Sequence, residues 1–201
     1  MARVRIHSGA FKGRILRTPV GQDTRPMLAR VRESLFSTLG GIEEDQPVLD
    51  LFSGSGSMGI EALSRGASRV RFLERDRKAL DVLRANLEIV GAHDRAEVIG
   101  GDALDKRYWG APMERAPGTS VELQPWARVI LMDPPYPMLR GGEREKVLVA
   151  ATTLVQEVLL SGGALVLHGH PRDLGQDALS LPDMQLDYRV MGRTALLYVW
   201  K

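Results

Sequence analysis

The chain has 201 residues, 44% of them hydrophobic, and a formal net charge of +2 at pH 7. That length and apolar content suit one domain with a full core and a small extension. The lack of cysteine excludes disulfides and thiolate metal sites, and no run approaches the roughly 18 apolar residues of a membrane-spanning helix. A reducing cytoplasm is therefore the expected setting, and the opening Met1-Ala2-Arg3-Val4-Arg5 has no apolar stretch of the kind a signal peptide needs.

The charge is unevenly placed. Residues 1–32 hold eight basic side chains against the single acid Asp23, a local charge of +7 that leaves −5 for the remainder. A concentrated basic segment on a near-neutral body points to a polyanion; the competing reading is a solvated basic hairpin. The segment starts with two short alternating runs, 3–7 and 14–17, separated by a glycine-containing stretch, which predicts a β-hairpin with an arginine-rich face. Arg3, Arg5, Lys12 and Arg14 are its cations. A loop over 19–26 leads into a helix expected over 27–39, with Val31, Leu35 and Leu39 at helical spacing and Gly40-Gly41 as its stop. Arg25, Arg30 and Arg32 sit at or near this helix, where they could reach phosphate or a ligand carboxylate.

The first core strand is predicted at 48–52. It runs into Ser53-Gly54-Ser55-Gly56-Ser57-Met58-Gly59 and a helix to about Arg65. Strand, glycine turn and helix open a nucleotide-binding unit, because glycine lets the backbone turn sharply and approach a ligand. The second strand, 70–74, ends in Glu74, twenty residues after Gly54, where an acid can take ribose hydroxyls. Asp76 is expected to cap a helix over 77–90 that carries Leu80, Leu83 and Leu87 and stops at Gly91. A third strand over 96–99 is followed by Gly100-Gly101-Asp102-Ala103, where Asp102 can accept from an adenine amino group and the Ala103 N–H can donate. Residues 109–125 read as a loop.

The fourth strand, 129–132, meets Asp133-Pro134-Pro135-Tyr136. Two prolines cannot continue a central strand, since neither offers an N–H. A carboxylate and the Pro134 carbonyl, both acceptors, then stand at a strand's C-terminal end, where ligands bind in open α/β sheets. Together they suit an –NH2 group, and Tyr136 offers a flat face on which a base could stack. An ordinary capped turn is the bland alternative. A helix over 143–160, a fifth strand over 164–167 and two final strands, about 184–191 and 194–200, complete the pattern. His168 and His170 read as structural or pocket-edge groups, and the four histidines show no metal-ligand spacing. Strands alternating with helices give a doubly wound parallel sheet.

Taken together, Lys12-Gly13-Arg14, Thr24-Arg25-Pro26, Arg30-Val31-Arg32-Glu33, Asp50-Leu51-Phe52-Ser53-Gly54-Ser55-Gly56, the run from Glu61 to Ala67, and Asp133 to Tyr136 resemble one family over nearly the whole chain. It is the bacterial 16S ribosomal RNA guanine-N2 methyltransferase family, among the class I S-adenosylmethionine-dependent methyltransferases. The resemblance implies a Rossmann-like, mostly parallel seven-stranded sheet, with residues 1–26 as a basic hairpin extension and 27–201 as the methyltransferase domain. It implies S-adenosylmethionine as cofactor, held around Phe52, Ser53, Gly54 and Gly56 with Asp50 ordering the turn, Glu74 on the ribose, and Asp102 and Ala103 on adenine. Asp133, Pro134, Pro135 and Tyr136 become the catalytic group for a guanine amine. Arg3, Arg5, Lys12, Arg14, Arg25, Arg30 and Arg32 become RNA contacts. The partner it implies is 16S ribosomal RNA in a partly assembled small subunit, met by a monomeric, metal-free enzyme.

Two rivals remain at this point. Methylation of adenine N6, in DNA or RNA, or of a protein glutamine, would present an –NH2 to the same motif. A nicotinamide-dependent oxidoreductase would share the glycines and Glu74 but leave Asp133 to Tyr136 and the basic N-terminus unexplained.

Overall fold

The computed structural model describes residues 3–19, 29–42, 46–110 and 123–201. Arg25 and most of the expected 109–125 loop lie outside the described residues. The described chain falls into two compact units, residues 1–103 and 104–201. The described residues form two sheets, a two-stranded one and a seven-stranded one.

The first unit begins with the predicted hairpin, β1 (Arg3–Arg5) and β2 (Ile15–Arg17), paired antiparallel. Side chains alternate across a strand, so Val4 and Leu16 are buried while Arg3, Arg5, Ile15 and Arg17 are exposed. Helix α1 is described over Ala29–Thr38 and buries Val31, Arg32, Leu35 and Phe36. The seven-stranded sheet contributes three parallel strands here, in the order β5-β4-β3: β3 (Val48–Leu51), β4 (Val70–Glu74) and β5 (Ala96–Gly100). Helix α2 (Ser57–Ser64) follows β3 and is almost wholly buried. Helix α3 (Arg77–Val90) follows β4 and has the predicted bounds. Asp76 caps it by accepting from the Ala79 N–H at 2.8 Å, and left-handed Gly91 closes it.

One buried carboxylate organises the docking of the hairpin loop. Glu61, 0% exposed on α2, accepts from the His7 and Ser8 N–H groups at 3.0 and 3.1 Å and from Arg65 Nε at 2.9 Å. Ser64 adds two bonds, donating to the Ser8 carbonyl and accepting from the Phe11 N–H at 2.8 Å. The Ala10 N–H donates to the Ser64 carbonyl at 2.7 Å. The Glu61 to Ala67 run is thus the seat of the hairpin.

The second unit holds β6 (Ala127–Met132), β7 (Leu159–Gly169), β8 (Gln185–Met191) and β9 (Thr194–Trp200), in the order β6-β7-β9-β8. β6 and β7 are parallel, whereas β9 runs antiparallel to both β7 and β8. Helix α4 (Gly142–Glu157) stops earlier than expected, and β7 starts five residues earlier than expected. The reason is Gly162-Gly163, which marks an irregularity within β7 rather than a link before it: the register shifts between Ala127 and Val129. Gly162 has φ +72°, and a Cβ on Gly163 would stand 2.7 Å from the Arg128 carbonyl oxygen. Among the described residues no helix is long and apolar enough to cross a membrane.

Candidate active site

The glycine turn after β3 is built from inside. Asp50 is 0% exposed, and its Oδ2 accepts from the Gly59 N–H at 2.9 Å. A Cβ on Gly59 would meet that oxygen at 2.8 Å and the Phe72 ring at 2.2 Å, so only glycine lets α2 start this close to β3. Phe52 has φ +59°, alone among the described non-glycine residues in the left-handed region. Such a conformation costs of order 1–3 kcal/mol and collects at ligand sites. Ser53 turns inward: its Oγ lies 2.9 Å from both the Asp50 and the Leu73 carbonyl oxygens. Gly56 has φ +76°, and a Cβ there would clash with Leu83 at 2.1 Å. A Cβ on Gly54 (φ +55°), in contrast, would meet no described atom within 4 Å. The turn is supported from beneath and open at Gly54.

Glu74 joins that turn to the end of β4. Its Oε2 accepts from the Gly54 N–H at 2.8 Å, and its Oε1 accepts from the Arg75 and Asp76 N–H groups, also at 2.8 Å. A carboxylate has about four acceptor sites. Three backbone donors hold it in place, and capacity remains for a ligand hydroxyl. At the end of β5, Asp102 is exposed and Ala103 is 3% exposed, while the Gly101 N–H bonds the Glu74 carbonyl at 3.0 Å.

Sequence reasoning missed one member of this region. Asn86 is 0% exposed on α3. Its Oδ1 accepts from the Arg17 N–H at 2.8 Å, and its Nδ2 donates to the Arg17 carbonyl at 3.0 Å and the Ser55 carbonyl at 2.9 Å. One side chain therefore ties the end of β2 to the glycine turn. The available signal was an amide directly before Leu87, on the buried side of an otherwise apolar helix face.

In the second unit, β6 stops at Met132 as the prolines require. Tyr136–Leu139 form a short 3-10 turn, closed by the Met138 N–H on the Pro135 carbonyl at 2.8 Å. Pro135 therefore shapes the turn, while the Pro134 carbonyl accepts no hydrogen bond among the described residues. Tyr136 is 37% exposed. Its ring meets His168 and His170 edge-on, at centroid distances of 5.7 and 6.0 Å. Burial and the nearby Asp133 charge push the Tyr136 hydroxyl above its usual value, against an opposing pull from Arg193. Arg140 bonds Asp173 at 2.8–2.9 Å and pins the turn after Tyr136 to the segment after β7.

Asp133 has a partner the sequence did not announce. Its Oδ1 lies 2.5 Å from His168 Nδ1. Burial disfavours a charged His168, but the Asp133 charge and hydrogen bond outweigh it, so the imidazole is pushed above 6.5.

The expected RNA contacts divide. Arg3, Arg5, Lys12, Arg14 and Arg30 are exposed. Arg3 and Arg17 stand directly opposite each other across the hairpin, a like-charge pairing that destabilises an isolated hairpin and that a polyanion would relieve. Arg32 must be withdrawn from the group. It is 1% exposed, its Nη2 donates to the Arg5 carbonyl at 2.7 Å, and its Nε lies 3.6 Å from Glu61. A buried guanidinium committed to a buried carboxylate cannot meet a phosphate.

A family model described as "Conserved hypothetical protein 95" matches residues 4–200. YlbH of Bacillus subtilis (strain 168) is 35% identical over 172 residues, which cover 85% of this chain and 84% of that protein. Ribosomal RNA small subunit methyltransferase D of Haemophilus influenzae is 37% identical over 134 residues, 66% of this chain and 64% of that protein. The solved structure of yhhF from Escherichia coli matches 100% of this chain and 99% of its own, with 28% identity and a TM-score of 0.75.

Proposed function

The chain belongs to the family described as Conserved hypothetical protein 95, and we propose that it transfers a methyl group from S-adenosylmethionine to the exocyclic N2 amine of a guanine in 16S ribosomal RNA. Two acceptors that take no hydrogen bond from the described residues at the end of β6, the second oxygen of Asp133 and the Pro134 carbonyl, carry this reading. They stand beside an exposed aromatic face at Tyr136. That set receives a planar –NH2 group and stacks the base that bears it.

The first unit fits the methyl donor. S-Adenosylmethionine, when bound, supplies an activated methyl group, so no covalent nucleophile is needed. The open space beside Gly54 suits its amino-acid part. Glu74 suits the ribose hydroxyls, and Asp102 with Ala103 the adenine. Asp133 and the Pro134 carbonyl align the amine nitrogen, and alignment is a large part of what such a reaction requires. The amine proton leaves to Asp133 or to water. The base must be unstacked, at a few kcal/mol, unless the RNA already presents it unpaired.

The substrate is a partly assembled small subunit in the cytoplasm, and Ribosomal RNA small subunit methyltransferase D, named for that particle, supports this. The exposed cations of the hairpin, with Arg30, supply phosphate contacts that set register without reading sequence. A monomer suffices, since one chain carries both residue sets. The test compares labelled methyl transfer to naked 16S RNA, to small-subunit particles from a deletion strain and to duplex DNA, followed by nucleoside analysis. The expected product is N2-methylguanosine in the particles. N6-methyladenine in DNA, with no transfer to particles, would overturn the reading. Asp133→Ala is expected to remove nearly all transfer while leaving cofactor affinity within a few-fold.

A further inference from the structure

The second unit buries a histidine beside the amine-binding group. His168 lies near the end of β7 and is 5% exposed. Its Nδ1 is 2.5 Å from Asp133 Oδ1. A bare imidazole nitrogen and a carboxylate oxygen are both acceptors, and they approach this closely only with a proton between them. The Asp133 charge acts on the imidazole, so Nδ1 carries that proton and donates to the carboxylate. The other Asp133 oxygen has no hydrogen bond among the described residues. His168 thus occupies one side of the carboxylate and leaves the other available. Its Nε2 is buried with no hydrogen-bond partner among the described residues, so no described group takes a proton onward from it and His168 is poorly built as a shuttle. The same ring lies edge-on against Tyr136, which meets His170 on a second contact.

We propose that His168 is a positioning residue: its Nδ1–H fixes the Asp133 carboxylate so that Oδ2 and the Pro134 carbonyl receive the substrate amine, and its ring fixes the face of Tyr136. This rests on the amine methyltransferase reading above. Among the described residues, Asp133 from the end of β6 and Tyr136 from the 3-10 turn meet His168, and His170 from the segment after β7 meets Tyr136. Arg193, in the turn between β8 and β9, acts on Tyr136. A neutral His168 leaves Asp133 a stronger acceptor than an imidazolium does, so turnover should rise with pH as His168 loses its second proton.

The experiment uses His168→Asn and His168→Leu in the full chain, with particles from a deletion strain as substrate. Asn carries a donor near the Nδ1 position and does not titrate; Leu has no donor. Turnover, KM for particles, affinity for S-adenosylhomocysteine and thermal melting are measured between pH 5.5 and 9. We expect His168→Leu to lower kcat about 100-fold, the scale of a misplaced reacting group, with KM and homocysteine-analogue affinity within a few-fold. His168→Asn should recover most of that loss and show no inflection where the wild type shows one. His168→Leu that melts like wild type and keeps kcat within two-fold would overturn the proposal. If His168→Leu does not fold, the Asn variant decides, and an inflection unchanged from wild type overturns it. Asp133→Ala separates the two levels. Retained turnover in Asp133→Ala defeats the amine-site reading itself. An inactive Asp133→Ala beside a normal His168→Leu defeats only the role given to His168.

Discussion

Gly9 lies so close to Ser64 that a Cβ on Gly9 would stand 1.6 Å from the Ser64 carbonyl oxygen. Its φ of +78° is also one that L side chains rarely adopt. Gly9→Ala must therefore lift the hairpin loop from α2. The expected result is weaker RNA binding with a flatter salt dependence, by about 0.7–0.9 in slope for each phosphate no longer neutralised. Replacing Arg3, Arg5, Lys12 and Arg14 together should give the same signature. Affinity for S-adenosylhomocysteine should stay within a few-fold in both variants. Binding titrations at several salt concentrations check this, and an unchanged slope would return the hairpin to a solvated surface that does not touch RNA.

Asn86→Leu should behave differently, because Asn86 bonds both Arg17 and Ser55. The substitution leaves buried backbone groups unpaired at about 1–3 kcal/mol each. It should lower the melting temperature and weaken both RNA and homocysteine-analogue binding. Calorimetry that finds full cofactor affinity in a folded Asn86→Leu would show that the glycine turn does not depend on this amide.

Glu74→Ala removes the acceptor of three backbone N–H groups and the proposed ribose ligand. Cofactor affinity should fall by about 1–3 kcal/mol, with the Gly54 end of the turn loosened as well. Wild-type protein should bind S-adenosylhomocysteine and not NAD in the same calorimeter. Saturable NAD binding without the homocysteine analogue would revive the oxidoreductase reading.

His168 makes stability depend on pH with a definite sign. Its folded pKa is raised above 6.5 despite burial, through the charge and hydrogen bond of Asp133. Above the unfolded value the folded state then binds more protons than the unfolded one. The contribution is fully present below about pH 6.5 and is lost as pH rises through the folded pKa. Urea midpoints of wild type and His168→Asn should differ more at pH 6 than at pH 9. A gap that widens with pH would contradict the ion pair.

The parts of the fold legible in the sequence were those with local punctuation. β4 and α3 fall at their predicted bounds because Asp76 and Gly91 mark both ends of α3 by capping geometry. Gly162-Gly163 misled because the same dipeptide serves as a linker or as a strand irregularity, and pairing with β6 decides between them. Arg32 was legible and was misread: it lies four residues before Phe36 and beside Val31, on the stripe that α1 buries. The contact of His168 with Asp133 could not be read from spacing along the chain. It follows from register, since Met132 pairs with Leu167, and Asp133 and His168 are the residues that come directly after them. The glycine turn and Asp133 to Tyr136 were visible because their chemistry is local, whereas Asn86 and Glu61 act on segments more than fifty residues away or on neighbours set only by packing.

The strand order β7-β9-β8 also sets a timetable for biosynthesis. β8 is made before β9, yet β9 is its neighbour in the sheet and stands between it and β7. While the chain is growing, β8 therefore has no template, and β7 shows an unpaired edge on the side β9 will fill. Exposed edges of this kind recruit foreign strands, and nascent chains commit their N-terminal portions first. Residues 1–103 can settle while the amine-binding half still waits for its keystone strand. The interval between synthesis of β7 and arrival of β9 leaves a nascent chain of this protein open at that edge to misassembly and to chaperones.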